Sequence, residues 1–237
     1  MPRLILLRHG QSQWNLENRF TGWVDVDLTA QGEAEARSGG ERIAKAGFTP
    51  AVMFTSVLKR ARRTGALALQ AAGLSGTPIV EDWRLNERHY GALTGLNKAE
   101  TAEKHGEDQV RVWRRSYDIP PPPMERGNDW DFAEDPLYAG QSIPNAESLK
   151  TTLDRVLPYW NEAIAPRLQA GEDVLIVAHG NSLRAIVKHL FAVPDDSIVE
   201  VEIPTGNPLE IDLDAELKPT AARYLDEGRA TALPAIA

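Results

Sequence analysis

Leu4-Ile5-Leu6-Leu7-Arg8-His9-Gly10 and Val174-Leu175-Ile176-Val177-Ala178-His179-Gly180-Asn181 share one pattern. Each is a continuous apolar run, the mark of a strand buried on both faces. Each then ends in a histidine followed by glycine. In open α/β sheets the ligand lies at the carboxyl edge of the strands, so if these two strands are neighbours, His9 and His179 face one crevice. Glycine after each histidine lets backbone N–H groups come close to an anion. A neutral imidazole is a competent nucleophile near neutral pH. Arg8 adds a planar fork suited to phosphate, and nearby arginines disfavour protonation of the ring.

Working outward, Thr29 reads as the N-cap of a helix through about Ala46, closed by Gly47. Ala51 to Phe54 reads as a second strand, with a helix from about Leu58 to Ala72 after it, and Pro78 to Val80 as a third strand. Asn97 to His105 and Asp108 to Tyr117 are expected to be helical. Pro120 to Pro123 must be extended, because a residue before proline is pushed out of the α region. Leu149, Leu153, Val156, Trp160 and Ile164 mark one face of a further helix, with a kink expected at Pro158. A helix follows His179 to about Phe191, and Ile198 to Ile203 and Leu209 to Leu213 are expected as late strands. Strand and helix alternate, which predicts a three-layer α/β/α fold.

The 237 residues suit one large domain. Within it we expect a surface insertion at about 118–146 and a mobile tail at about 226–237. The net charge of −8 argues against nucleic acid as a partner. The chain has no cysteine, which excludes disulfides and thiolate chemistry and suits a reducing compartment. No apolar run could span a membrane, and the N-terminal run is too short for a signal peptide. The expected location is cytoplasmic. No cluster of carboxylates or histidines has metal-ligand spacing, so no metal is expected.

Longer motifs sharpen the reading. Arg8-His9-Gly10-Gln11-Ser12-Gln13-Trp14-Asn15, Phe20-Thr21-Gly22-Trp23, Thr55 to Arg60, Arg84 to Gly91, Gly95 to Thr101, Trp113 to Tyr117 and His179 to Arg184 together resemble the histidine phosphatase superfamily. More narrowly, the chain resembles the 2,3-bisphosphoglycerate-dependent phosphoglycerate mutases, over most of residues 3–123 and 145–213. The resemblance implies an α/β, phosphoglycerate mutase-like fold with a mostly parallel mixed central sheet. It implies an isomerase that interconverts 3-phosphoglycerate and 2-phosphoglycerate, in glycolysis and gluconeogenesis, primed by 2,3-bisphosphoglycerate. A small phosphorylated substrate and assembly as a homodimer or homotetramer go with it.

The same resemblance assigns roles. His9 would be the phosphorylated nucleophile; Arg8, Arg60 and His179 would grip the transferring phosphoryl group; Glu87 would be the general acid and base. Asn15, Thr21, Gly22, Tyr90, Lys98, Arg114, Arg115, Gly180 and Asn181 would hold the ligand. Arg88 and His89, inside a matching stretch, are binding candidates too, although by motif alone His89, His105 and His189 read as structural. The acidic residues of 125–135 read as a solvated loop, and Arg63, beside Arg60, as a residue backing the site. A phosphatase of the same superfamily needs the two histidines but not a second anion clamp of Lys98, Arg114 and Arg115. A non-catalytic phospho-ligand module would tolerate loss of His9 or Glu87. The chain departs from the family pattern at Gln11, where an acidic residue is common. It also departs in the tail from Asp226, which lacks a lysine-rich ending.

Overall fold

The computed structural model describes residues 1–236. A six-stranded sheet is built from β1 (Arg3–Arg8), β2 (Val52–Thr55), β3 (Ile79–Glu81), β4 (Val174–Ala178), β5 (Leu209–Leu213) and β6 (Pro219–Tyr224), in the order β3-β2-β4-β1-β5-β6. The first four of these neighbours run parallel, and β5 and β6 are antiparallel additions. The expected mostly parallel mixed sheet is therefore present. β1 and β4 are adjacent, in register from Leu4 opposite Val174 to Arg8 opposite Ala178.

The pleat divides each apolar run between two layers. Ile5, Leu7, Leu175 and Val177 face α2 (Ala30–Lys45) and α3 (Lys59–Ala71) and pack with Ile43, Phe48, Ala68 and Leu69. Leu4, Leu6, Val174 and Ile176 face the other way, onto α6 (Leu149–Tyr159) and α8 (Gly180–Leu190), with Leu153, Val156 and Ile186. Both faces are filled, which is why these strands carry no polar alternation. Burying each such side chain is worth roughly 1.5–3 kcal/mol. The short α1 (Gln13–Leu16) and the pair α4 (Lys98–His105) and α5 (Glu107–Arg115) lie beyond the carboxyl edge of the sheet. The helix begun at Leu149 runs through Pro158 and widens into a π turn at Trp160–Ile164 before α7 (Ala165–Gln169).

One expected strand is absent and one strand was not expected. Residues Ile198 to Ile203 form no strand; Ile198–Glu200 is a 3₁₀ turn and the rest is irregular. Ile198, Val201 and Ile203 are buried, and that spacing imitates a strand, but arginines take the backbone carbonyls instead of a neighbouring strand. Arg184 Nη2 donates to the Ile198 carbonyl at 2.6 Å and Arg8 Nη1 to that of Ile203 at 2.9 Å. Conversely, Pro219–Tyr224 is a strand with little apolar signature, because at the sheet edge only Pro219 and Tyr224 are buried. Residues 118–146 lie mostly outside the sheet and helices, yet Met124 and Tyr138 are buried, and Asn86 Nδ2 donates to the Tyr138 hydroxyl at 2.9 Å. The tail is tied down at Asp226, whose N–H donates to Asn207 at 3.1 Å, and at Thr231; Ala237 lies outside the described residues.

α2 and α3 touch backbone to backbone. A Cβ on Gly40 would sit 2.1 Å from the Ala68 carbonyl oxygen, which no rotamer change can relieve. Alanine improves helix propensity by about 1 kcal/mol over glycine, but overpacking costs typically about 1–3 kcal/mol. Here the obstacle is backbone, so the cost should sit at the upper end. Gly40→Ala should lower the urea midpoint, by a net loss of roughly 1–2 kcal/mol; an unchanged or raised midpoint would show that the two helices slide apart freely.

Candidate active site

The β1–β4 ladder continues one step past the strand ends. The His9 N–H donates to the Ala178 carbonyl at 3.0 Å, and the rings of His9 and His179 come to lie with centroids 5.0 Å apart. His9 Nδ1 lies 2.7 Å from the Gly10 carbonyl. A carbonyl only accepts, so Nδ1 carries the proton and Nε2 keeps its lone pair. Burial, then Arg60 and Arg8, hold the His9 pKa well below its ordinary value, and burial with Arg60 does the same to His179. Both rings are neutral at physiological pH.

Gly10 serves a different purpose from the expected one. Its N–H is taken by Thr64 Oγ1 at 3.1 Å, and a Cβ there would sit 2.1 Å from the Gly32 carbonyl oxygen in α2. It admits a helix, not an anion. Gly180 does border the cleft, since a Cβ on it would lie 3.4 Å from Arg8 Cζ and 3.6 Å from Glu87 Oε2.

Arg60, on the first turn of α3, is 1% exposed and donates to the carbonyls of Gly22 at 2.7 Å and Val24 at 2.9 Å. Its pKa falls to about 10, chiefly through burial. Its Nε, the Nε of Arg8 and of Arg184, and Nδ1 of His179 are all buried without a protein partner. His179 Nε2 meets Ser56 Oγ at 2.7 Å. Glu87 Oε1 accepts from the N–H groups of Arg88 at 2.8 Å and Asn181 at 3.1 Å, which fixes the carboxylate at the N-terminus of α8. Asn15 Oδ1 accepts from the Ser12 N–H and hydroxyl, turning its Nδ2 away from its own backbone.

Most of these residues line two cavities that share Arg8, Glu87, Tyr90 and Lys98, while His179 and Ser56 are buried behind them. One of about 60 Å³ is bordered by Arg8, His9, Asn15, Thr21, Gly22, Arg60, Glu87, Tyr90 and Lys98. The other, of about 150 Å³, adds Arg114, Arg115, Gly180, Asn181, Arg184 and Glu202. It opens onto a groove of about 900 Å³ between α4, α5 and residues 199–202. Lys98 borders all of them, with its pKa lowered by burial and by Arg114 and Arg8 against the pull of Tyr90. Buried neutral imidazoles beside unpartnered guanidinium atoms make an anion site with a nucleophile in it. Among the described residues no group of three or more His, Cys, Asp and Glu side chains is arranged to hold a metal, and no helix is long and apolar enough to cross a membrane.

The family model "Histidine phosphatase superfamily (branch 1)" matches residues 4–133 and 130–219. A 2,3-bisphosphoglycerate-dependent phosphoglycerate mutase of Caulobacter sp. (strain K31) is 72% identical over 236 residues, 100% of each chain. The same-named protein of Hyphomonas neptunium is 66% identical over 99% of each. The chain belongs to the 2,3-bisphosphoglycerate-dependent phosphoglycerate mutase family of the histidine phosphatase superfamily. Solved structures share the fold at lower identity. A mycobacterial glucosyl-3-phosphoglycerate phosphatase aligns with TM-score 0.71 at 22% identity, covering 94% of this chain and 97% of its own. Bacillus stearothermophilus YhfR aligns with TM-score 0.72 at 24%, covering 98% of each.

In this phosphoglycerate mutase family member, two of the sequence candidates are not brought to the cleft. Arg88 is fully buried behind Tyr90, with its guanidinium 4.7 Å from that ring and bonded to the Arg114 carbonyl at 3.0 Å. His89 lies among Trp23 and Phe132, and its Nδ1 accepts from Gly91 N–H at 3.0 Å. Arg63 joins Asp27 and Glu33, bracing α3 against α2 rather than facing the ligand. Gln11 Oε1 accepts from the Thr29 hydroxyl at 2.9 Å. The acidic stretch 125–135 is partly structured: Asp131 accepts from Gly127 and Ala133 N–H groups.

Sequence reasoning passed over several residues. Arg184 donates to Asn181 Oδ1 at 3.0 Å, so the Asn181 amide is held with Nδ2 toward Tyr90 and the cleft. Glu147 and Arg155 form a buried pair at 2.7 Å. Arg155 also bonds the carbonyls of Arg84, Asn86 and Glu87, and Glu147 accepts from the His89 N–H. This pair fixes the segment carrying Glu87. Glu147 lies in Glu147-Ser148-Leu149, a stretch that also resembles the family, but spacing does not reveal the pair's role, because its partners are main-chain atoms brought together only by folding.

His9, His89 and His179 are all depressed, His89 to about 4 through burial. Above the ordinary value of 6.5 both folded and unfolded chains hold these rings neutral, and stability is full. As pH falls below that, the unfolded chain gains protons that the folded chain refuses, so stability is lost toward about pH 4 for His89. Each such ring contributes a slope of about 1.4 kcal/mol per pH unit. Urea unfolding of His89→Gln, compared with wild type between roughly pH 6 and 5, should show a slope shallower by that amount; equal slopes would mean His89 is protonated in the folded protein.

Proposed function

We propose that this protein is a 2,3-bisphosphoglycerate-dependent phosphoglycerate mutase, interconverting 3-phosphoglycerate and 2-phosphoglycerate through a phosphohistidine at His9. The observation that carries the reading is His9: a buried neutral ring with Nδ1 tied to Gly10 and Nε2 free, flanked by Arg8 and Arg60. Full-length identity of 72% to a protein of that name supports the substrate.

Phosphoryl transfer needs in-line placement and positive charge on the equatorial oxygens more than bond-making help from the protein. Arg8 and Arg60 supply that charge, and neutral His179, Asn15 Nδ2 and the Gly180 N–H add hydrogen-bond donors. With Ser56 donating its hydroxyl proton to Nε2 of His179, the ring proton sits on Nδ1, the buried atom that lacks a protein partner. In the forward transfer the P–Nε2 bond of His9 breaks and a P–O bond forms to a hydroxyl of bound monophosphoglycerate. Glu87 takes that hydroxyl's proton and returns it in the reverse step. Thr21, Gly22, Tyr90, Lys98, Arg114, Arg115 and Asn181 hold the remainder of the substrate.

The unpartnered buried donors and the cations Arg8, Arg60, Lys98, Arg114 and Arg115 fit a ligand with two phosphates and a carboxylate. Bound there, 2,3-bisphosphoglycerate would supply the phosphoryl group that charges His9. The reading assigns no metal, no nucleic acid and no membrane partner; the net charge of −8 supports the second of these. It includes a cytoplasmic location and self-association as a homodimer or homotetramer, which exposed Ile79 and Val80 at the open β3 edge support.

A coupled assay on 3-phosphoglycerate tests the assignment. Turnover should rise on adding catalytic 2,3-bisphosphoglycerate, survive exhaustive chelation, and vanish in His9→Ala together with the acid-labile phosphate. Loss in chelator with recovery on manganese would overturn it.

Mutase and phosphatase differ in what attacks the phosphoenzyme, a bound hydroxyl or water. The hydroxyl wins through orientation, where effective molarities on the order of 10⁵–10⁸ M are available. Orientation comes from the distal cations, each charge-assisted contact being worth roughly 1.5–3 kcal/mol. Arg115→Ala should slow mutase turnover by about 10- to 100-fold and change hydrolysis of preformed phosphoenzyme far less. An equal fall in both rates would place Arg115 on the transferring group itself.

A further inference from the structure

The cleft built to gather anions contains a second carboxylate besides Glu87. Glu202 borders it, and its Oε1 accepts a hydrogen bond from Arg115 Nη2. We propose that Glu202 is a displaceable internal anion, holding Arg115 when no ligand is bound and thereby deciding which anions the distal half of the cleft accepts. This rests on the reading in which Arg115 contacts the substrate.

The two carboxylates are held differently. Glu87 is 8% exposed and accepts two backbone N–H groups. The Glu202 side chain is 55% exposed, and Arg115 is its hydrogen-bonding partner. Its main chain, by contrast, is fixed. The Glu202 carbonyl accepts from the Tyr224 hydroxyl at 3.1 Å and from Thr231 Oγ1 at 2.7 Å, and Val201 and Ile203 on either side are buried. A short arm on an anchored base can swing to solvent without moving the fold. Hydrogen bonding and charge from Arg115, with Arg8 and Arg184 beyond, hold the Glu202 carboxyl below the usual range, so it stays ionised wherever the enzyme works.

A half-exposed ion pair on an ordinary surface would be inconsequential. This one occupies a guanidinium that a ligand must use. An anion held only at Arg8 and Arg60 never meets Glu202. One long enough to reach Arg115 must first displace it, and a ligand with a second phosphate or carboxylate recovers more than is lost. Glu202 thus selects for length and double charge, and it partly neutralises the distal cations of the empty cleft.

Isothermal titration of 3-phosphoglycerate into wild type and Glu202→Gln tests this. The variant should bind about two- to five-fold more tightly, equivalent to about 0.4–1 kcal/mol at about 1.4 kcal/mol per decade. The gain should shrink as potassium chloride is raised, because an exposed pair is screened. Glu202→Asp, which keeps the charge, should stay near wild type. Inorganic phosphate, short enough to remain at Arg8 and Arg60, should bind both forms alike. In turnover the gain should appear in KM and not in kcat. Unchanged or weaker binding of 3-phosphoglycerate in Glu202→Gln overturns the proposal; so does equal tightening of phosphate, which would reveal only a general field. A wild type that binds 3-phosphoglycerate without turning it over would sink the proposed function, while the ratio of dissociation constants would still decide the role of Glu202. Failure of the wild type to bind it at all overturns both.

Discussion

One backbone hydrogen bond, from the N–H of His9 to the carbonyl of Ala178, fixes the chemistry of this protein. It extends the parallel pairing of β1 and β4 past the strand ends and sets the two imidazoles side by side. A slip of one residue in that pairing would turn one histidine to the opposite face of the sheet. The register is protected by the double-sided apolar core, because Leu4 to Leu7 and Val174 to Val177 are each buried among different helices. A packed core of this kind is costly to shift, so the site inherits the rigidity of the fold's centre.

Around that fixed pair the protein maintains a cationic interior that is incomplete by itself. Arg60 and Arg184 are buried enough to lower their pKa values to about 10, and four donors bordering the site find no protein acceptor. An unsatisfied buried polar group costs roughly 1–3 kcal/mol, so the empty site carries a debt that an anion discharges on binding. Neutralisation is arranged by position. Glu87 stands at the α8 N-terminus, Glu202 at the rim, and the buried Glu147–Arg155 pair lies behind, where it secures the Glu87 segment without drawing charge from the cleft. The overall charge of −8 makes this local concentration of arginine the selective feature.

The sequence was most legible where one physical cause acts alone. The continuous apolar runs predicted β1 and β4, and Thr29 as N-cap predicted the start of α2, because burial and capping are local rules. It was least legible where tertiary contacts override pattern. Ile198, Val201 and Ile203 look like strand residues, but Arg8 and Arg184 occupy the carbonyls that a neighbouring strand would need. Pro219 to Tyr224 buries only Pro219 and Tyr224 at its ends, too little apolar pattern to mark a strand. In the site, the long motifs brought forward the residues that line the cleft, but Arg88 and His89 share those motifs for packing. Arg155, Glu147 and Glu202 bear on the site through partners distant in sequence and could not be read from spacing.

A shared fold also separates what the centre does from what the rim does. This chain and a protein named a phosphatase superpose with a TM-score of 0.71 at 22% identity, so the shared fold by itself leaves the reaction undetermined. What decides between water and a second hydroxyl must lie where the acceptor is held. In the proposed reading that region is α4, α5 and the irregular stretch after Ile198, all outside the rigid sheet. The irregular stretch is held by side chains such as Arg8, Arg184 and Thr231 rather than by a strand ladder. Its geometry can change without disturbing the register that places His9 against His179. On that reading the irregular segment matters to function: regular pairing there would join the acceptor clamp to the sheet and remove the independence of the two halves.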